Sequence, residues 1–134
     1  MAGGCLCGAV RFHIAAAPVA TRLCWCRTCQ YIAAGNATVN VVVPTEALHV
    51  QGATTNFQNT ADSGNGMQRR FCPACGTHLF SNSGGRPHLT VVRAGAFDDP
   101  DVADPTAAIW VDSAPRWACI AEDLEQFPVQ PPPA

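Results

Sequence analysis

The chain contains no lysine: its eight basic residues are all arginines, Arg11, Arg22, Arg27, Arg69, Arg70, Arg86, Arg93 and Arg116, set against ten acidic residues for a net charge of −2. Holding nucleic acid by neutralising phosphates requires a basic excess along one face, and this composition excludes it. Charge of either sign is scarce, 13% of residues against about 25% in an average soluble domain. With 48% apolar residues, a disordered polyelectrolyte is excluded as well. Long apolar runs are also missing. Stretches such as Val41-Val42-Val43 fall far short of the roughly 18 to 20 residues of a membrane-spanning helix, and no basic-then-apolar leader opens the sequence. These absences predict a soluble, cytoplasmic protein, and 134 residues predict a single core.

What the chain has in abundance is cysteine. Of eight, seven are clustered: Cys5 and Cys7; Cys24, Cys26 and Cys29; Cys72 and Cys75; Cys119 stands apart. A disulfide framework spreads its cysteines to close long loops, and Cys-x-Cys neighbours bond to each other only with difficulty. Clustered thiols on tight turns instead preassemble a metal shell, and zinc is the expected ion. In Phe71-Cys72-Pro73-Ala74-Cys75-Gly76-Thr77, Pro73 fixes a turn dihedral and Gly76 tolerates positive φ, the features of a zinc knuckle. Cys5-Leu6-Cys7-Gly8 is the simplest donor of a second pair, which gives a closed, structural Cys₄ site. Structural zinc is worth roughly 10–16 kcal/mol in small modules, so its removal is expected to unfold the chain.

The triplet Cys24-Trp25-Cys26-Arg27-Thr28-Cys29 places its sulfurs on a stretch that covers one side of an ion. Its fourth position is either open, the mark of a catalytic zinc, or closed by a protein group: Cys119, His13, His49, His78, His88 or Asp112. Cys119 also reads as a core residue on a strand face shared with Trp117. Three thiolates make zinc a poor activator of water and a good acceptor of a further thiol, which loses its proton on coordination. Such a site suits addition of sulfur to an electrophilic carbon.

Val10, Phe12 and Ile14 alternate with Arg11 and His13, a half-buried strand. Comparable runs predict strands over 38–43, 47–50, 68–72, 77–81, 88–93, 107–112 and 116–120, separated by turn signals such as Asp62-Ser63-Gly64-Asn65-Gly66. Helix is expected only over 28–34 and 122–126. The class is mainly β, in one domain over residues 1–127, followed by a Pro-rich tail over 128–134 with Pro131-Pro132-Pro133 extended and poorly ordered.

Cys5-x-Cys7-Gly8, Cys24-x-Cys26-x-x-Cys29-Gln30 and Arg70-Phe71-Cys72-x-x-Cys75-Gly76, followed by Ala94-Gly95-Ala96-Phe97-Asp98-Asp99-Pro100, Pro105, Ile109-Trp110, Pro115 and Trp117, resemble the glutathione-dependent formaldehyde-activating enzyme family, centromere-protein-V relatives included. The resemblance implies a β-tent of small antiparallel sheets around two zincs. It also implies structural ligands Cys5, Cys7, Cys72 and Cys75, and a catalytic zinc on Cys24, Cys26 and Cys29 that accepts the glutathione sulfur. Trp25 and Ala108 stand where relatives often carry histidine, which would remove polar groups from the pocket.

The expected activity is that of a carbon–sulfur lyase or synthase joining glutathione and formaldehyde into S-hydroxymethylglutathione. Arg22, Arg27 and Arg70 are candidates for the peptide's carboxylates, and Thr28 and Gln30 for hydrogen bonds to sulfur or substrate. The rival reading is a non-catalytic zinc module that binds a thiol or a protein. A redox enzyme would need a metal-free reactive cysteine, and Cys119 alone qualifies.

Overall fold

A computed structural model describes residues 1–132; Pro133 and Ala134, the end of the expected tail, lie outside the described residues. Two β-sheets make up the fold, and its helices are short. Strands β1 (Ala2–Gly4), β2 (Arg11–Ile14) and β5 (Leu48–Gln51) form an antiparallel three-stranded sheet in the order β1-β2-β5. The larger sheet contains β3 (Ala20–Cys24), β4 (Thr38–Pro44), β6 (Thr55–Thr60), β7 (Gly66–Phe71), β8 (His78–Ser83), β9 (Leu89–Arg93), β10 (Ala107–Ile109) and β11 (Glu125–Gln126). Its order is β11-β10-β3-β4-β9-β8-β7-β6. Pairing is antiparallel except at the β10 edge, where β10 runs parallel to both β3 and β11. The one α-helix, α1 (Arg27–Ile32), follows β3 directly. Among the described residues no helix is long and apolar enough to cross a membrane.

Side chains alternate across a strand, and that parity divides the larger sheet into an apolar face and a polar one. Val41 and Val43 of β4, Val92 of β9 and Phe80 of β8 join Val10, Phe12 and Ile14 in one buried core. Phe12 is the pivot: its ring meets Phe80 and Phe97 edge-on, with both centroid distances 5.4 Å. Gly3 lets the backbones close there, since a Cβ would lie 2.1 Å from the Ala96 carbonyl oxygen. On the opposite face, cross-strand register puts Arg22 beside Asn40 and Asn40 beside Arg93, with Cys24 beside Thr38.

The strand expected over 10–14 is present, with Arg11 and His13 exposed and Phe12 and Ile14 buried. The hairpin turn at 62–66 joins β6 to β7. Three expectations fail in part or whole: the strand expected over 107–112 stops at Ile109, where Trp110 turns left-handed and Val111–Ser113 forms a 3-10 turn. No strand forms over 116–120: with no neighbour to pair with, the segment turns, leaving Cys119 exposed and Trp117 66% exposed, its ring edge-on to Trp25 instead of in the core. No helix forms over 122–126, a length too short to sustain its own nucleation. Instead, the amides of Glu125 and Phe127 donate to the carbonyls of Thr106 and Ala108 across the β10 edge. The described part of the tail is also tied down, because the amides of Trp110 and Asp112 donate to the Val129 and Pro128 carbonyls.

Replacing Phe12 by Ala removes both aromatic contacts from a site 4% exposed. The expected loss is about 3–5 kcal/mol by urea denaturation; a loss below about 1 kcal/mol contradicts this packing.

Candidate functional site

Each sulfur cluster is built by turns. Gly8 (φ +81°) and Gly76 (φ +74°) adopt the left-handed backbone that folds each cysteine pair back on itself. The Gly8 amide donates to the Cys5 carbonyl at 3.1 Å, and that of Gly76 to the Cys72 carbonyl at 2.9 Å. The Leu6 amide, donating to Thr77 Oγ1 at 3.1 Å, joins the two turns across 71 residues of sequence. The Sγ atoms of Cys5, Cys7, Cys72 and Cys75 all lie within 4.8 Å of one another, with Cys5–Cys7 at 3.6 Å and Cys7–Cys72 at 3.8 Å. Sulfurs at about 2.3 Å from a tetrahedral ion are about 3.8 Å apart. Those separations fit a Cys₄ metal shell and are far too long for disulfides. The Thr77 hydroxyl, 3.1 Å from Cys75 Sγ, holds that thiol down at about 5, toward the thiolate form a metal requires.

Cys24, Cys26 and Cys29 form the second cluster, all buried, with their sulfurs within 4.8 Å of one another. Cys24 closes β3, Cys26 caps α1 by accepting from the Cys29 amide at 3.4 Å, and Cys29 lies in the first turn of that helix. Hydrogen bonds from Cys24 and Cys26 hold the Cys29 thiol far below its ordinary value, while contact with Cys26 and Cys29 pushes Cys24 far above. Thiols so placed do not all ionise without a cation, and their donor set suits a soft or borderline one. Among the described residues no fourth histidine, cysteine or carboxylate joins this group, so His13, His49, His78, His88, Asp112 and Cys119 do not close the shell.

The cluster forms one wall of a cavity of about 370 Å³. The polar face of the larger sheet supplies most of the rest: Arg22, Asn40, Arg69, Ser81 and Arg93, with Val42, Met67 and Val91. Arg86 follows β8, Asp62 comes from the β6–β7 turn, and Trp110, Gln130 and Pro131 complete the lining. Asp62 Oδ2 accepts from the Arg27 amide at 3.1 Å, which pins that turn to the start of α1. Trp110 has φ +59°, a conformation costing a non-glycine residue about 1–3 kcal/mol. Its amide donates to the Val129 carbonyl at 3.4 Å, its Nε1 to Gln130 Oε1 at 3.1 Å, and its side chain packs against the cluster formed by Cys24, Cys26, Cys29 and Ile109.

Of the candidate substrate-binding residues, Arg22 lines this cavity and the other four do not. Arg27 is exposed: it donates to Gln30 Oε1 and lies over the Tyr31 ring at 5.3 Å. Thr28 faces a separate groove with Tyr31, Phe57, Phe71 and His78. Gln30, 4% exposed, is structural: its Nε2 donates to the carbonyls of Trp25 at 2.6 Å and Ser113 at 2.9 Å. Arg70 pairs in register with Phe80 and stacks on its ring, on the sheet face opposite Arg69. Trp25 and Ala108 are buried, 2% and 0% exposed, and neither lines the cavity, so the expected loss of polar groups from the pocket at these positions does not occur. Asn40, Arg69, Ser81, Arg86, Arg93 and Trp110 were not picked out by sequence reasoning; only the parity of the paired strands identifies those on the sheet.

The fold is mainly β and gathers seven cysteines into two clusters that could each hold a metal ion, one of them lining a cavity. The chain belongs to the glutathione-dependent formaldehyde-activating enzyme family, whose model matches residues 1–113. It is 30% identical to a Halomonas elongata protein named provisionally as a glutathione-dependent formaldehyde-activating enzyme, over 92% of this chain and 82% of that one. A crystal structure of a Rhodobacter sphaeroides protein shares the fold, with TM-score 0.60 and 22% identity over 78% of this chain and 97% of that one.

Replacing Gln30 by Leu leaves the buried Trp25 and Ser113 carbonyls without its donors. The expected cost is about 1–3 kcal/mol of stability in urea denaturation, and a variant as stable as the parent contradicts the structural role.

Proposed function

We propose that the protein is a zinc-dependent carbon–sulfur lyase that condenses a thiol with an aldehyde, glutathione with formaldehyde, to give S-hydroxymethylglutathione. One observation carries this reading: three buried cysteines hold their sulfurs within 4.8 Å of one another on the wall of an arginine-lined cavity, with no fourth protein ligand among the described residues. Cys5, Cys7, Cys72 and Cys75 would hold one structural zinc, and Cys24, Cys26 and Cys29 a second. When bound, the second zinc supplies a positive centre at which an incoming thiol gives up its proton at neutral pH and is held for attack.

The remaining work falls to the chain's own side chains. Arg22 and Arg86 offer bidentate partners to the carboxylates of a peptide thiol, and Asp62 is the acidic side chain in the lining able to meet its ammonium group. Val42, Met67, Val91 and Ile109 exclude water around the sulfur. Holding thiol and aldehyde together in one orientation supplies much of the acceleration. Residues 1–127 form the zinc-binding unit in this reading and 128–134 its tail, of which Gln130 and Pro131 border the cavity. The unpaired thiols suit a reducing compartment, the cytoplasm.

NMR exchange between glutathione, formaldehyde and their adduct tests the proposal. Exchange is expected to be faster with protein than in buffer, to return to the buffer rate in Cys26→Ala, and to show KM for glutathione raised at least about tenfold in Arg22→Ala by loss of a charged contact. Metal analysis is expected to give two zincs in the parent and one in the Cys26 variant. A parent no faster than buffer, with both zincs in place, leaves a thiol-binding module in place of an enzyme.

A further inference from the structure

Arg93 ends β9 on the cavity face and is 8% exposed. A guanidinium carries five N–H donors in a planar fork. Here Nη1 donates to Asn40 Oδ1, Nη2 donates to Ser81 Oγ at 2.5 Å, and the buried Nε has no partner. Both acceptors are neutral. They fix the plane of the fork without cancelling its charge, and the cost of burying that charge is offset only by the sulfur cluster across the cavity and by whatever anion enters it. Among the described residues the one ion pair is Arg11 with Asp98, so no carboxylate answers Arg93. Cross-strand register sets Arg93 beside Asn40 and Asn40 beside Arg22, two residues before Cys24 on the same face. Arg93 lines the same cavity as Cys24, Cys26 and Cys29. The guanidinium is therefore preorganised next to the position where sulfur would meet an electrophile.

We propose that Arg93 is a further catalytic residue of this site, its clamped guanidinium receiving the negative charge that develops on the aldehyde oxygen as the carbon–sulfur bond forms. This rests on the thiol–aldehyde reading above. In the step, a lone pair of the thiolate sulfur attacks the carbonyl carbon, the C–S bond forms and the C=O π bond breaks. Its electron pair passes to oxygen as an alkoxide facing Arg93. The proton given up by the thiol then returns to that oxygen, so thiol and aldehyde sum to the hydroxymethyl thioether with no other reactant. A fixed donor aimed at developing charge acts on the transition state more than on the bound thiol.

The test compares Arg93→Met, Arg93→Lys and Asn40→Asp with the parent, all zinc-loaded, by NMR exchange, metal analysis, circular dichroism and calorimetric titration with glutathione. Arg93→Met is expected to keep its fold, both zincs and a glutathione Kd within about twofold of the parent, while kcat falls about 10²–10³-fold. Arg93→Lys is expected to recover part of that loss. Asn40→Asp keeps the oxygen that holds Nη1 but adds a countercharge, and is expected to lower kcat about tenfold or more at unchanged KM. Three results overturn the proposal: kcat in Arg93→Met within about threefold of the parent, a loss confined to KM and Kd, or a loss of zinc. If Arg93→Met does not fold, an unchanged kcat in Asn40→Asp overturns it instead. A parent no faster than buffer removes the underlying reading, an outcome separate from any of these.

Discussion

Sulfurs in van der Waals contact repel once ionised, and the whole structure is organised around that constraint. Four of them come from turns 65 residues apart in sequence, with Cys7 and Cys72 at 3.8 Å, so the loop before β2 and the turn between β7 and β8 are held as one object. The three-stranded sheet and the far end of the larger sheet are thereby fixed relative to each other. Phe12 packing between Phe80 and Phe97 completes the joint from the apolar side. A cation among the sulfurs would turn their mutual repulsion into attraction and link the two turns.

The second consequence is a division of labour across one sheet. Its inward face buries Val41, Val43, Val92 and Phe80, whereas its other face presents Arg22, Asn40, Ser81, Arg69 and Arg93 to a cavity walled by Cys24, Cys26 and Cys29. Five adjacent strands, β3, β4, β9, β8 and β7, contribute to one polar surface because antiparallel register carries a face across the sheet unchanged. Positive charge thus accumulates around the sulfur cluster with Asp62 as the one acidic neighbour in the lining. In the proposed function, an anionic peptide thiol would meet both its sulfur site and its countercharges in the same space.

The sulfur clusters were legible in the sequence because metal ligands sit on short turns whose spacing and glycines are local features: Cys5-Leu6-Cys7-Gly8 and Cys72 to Gly76 fold as their composition demands. The mainly β class was legible for a similar reason, since Val10, Phe12 and Ile14 alternate openly. The cavity was not. Arg69 and Arg70 are adjacent in sequence, and which of them enters depends on pairing with β8, which sets Arg69 beside Ser81 and Arg70 beside Phe80. Proximity in sequence to the cysteines favoured Arg70, Arg27, Thr28 and Gln30, yet parity and long-range pairing brought in Arg69, Arg93 and Asn40. Strand β6, polar but for the exposed Phe57, is held by β7 and has no periodic apolar signal of its own. The segments over 116–120 and 122–126 carry local patterns that the absence of a pairing neighbour, in the first, and the β10 edge, in the second, override.

In the proposed function the two sulfur shells are unequally complete, one closed by the chain and one completed by a visiting thiol. X-ray absorption at the zinc edge counts their ligands directly. The account predicts an average of about 3.5 sulfurs per zinc in the purified protein, rising to about 4 when glutathione is added. An average that stays unchanged on adding the thiol, or that already stands at four without it, contradicts the account.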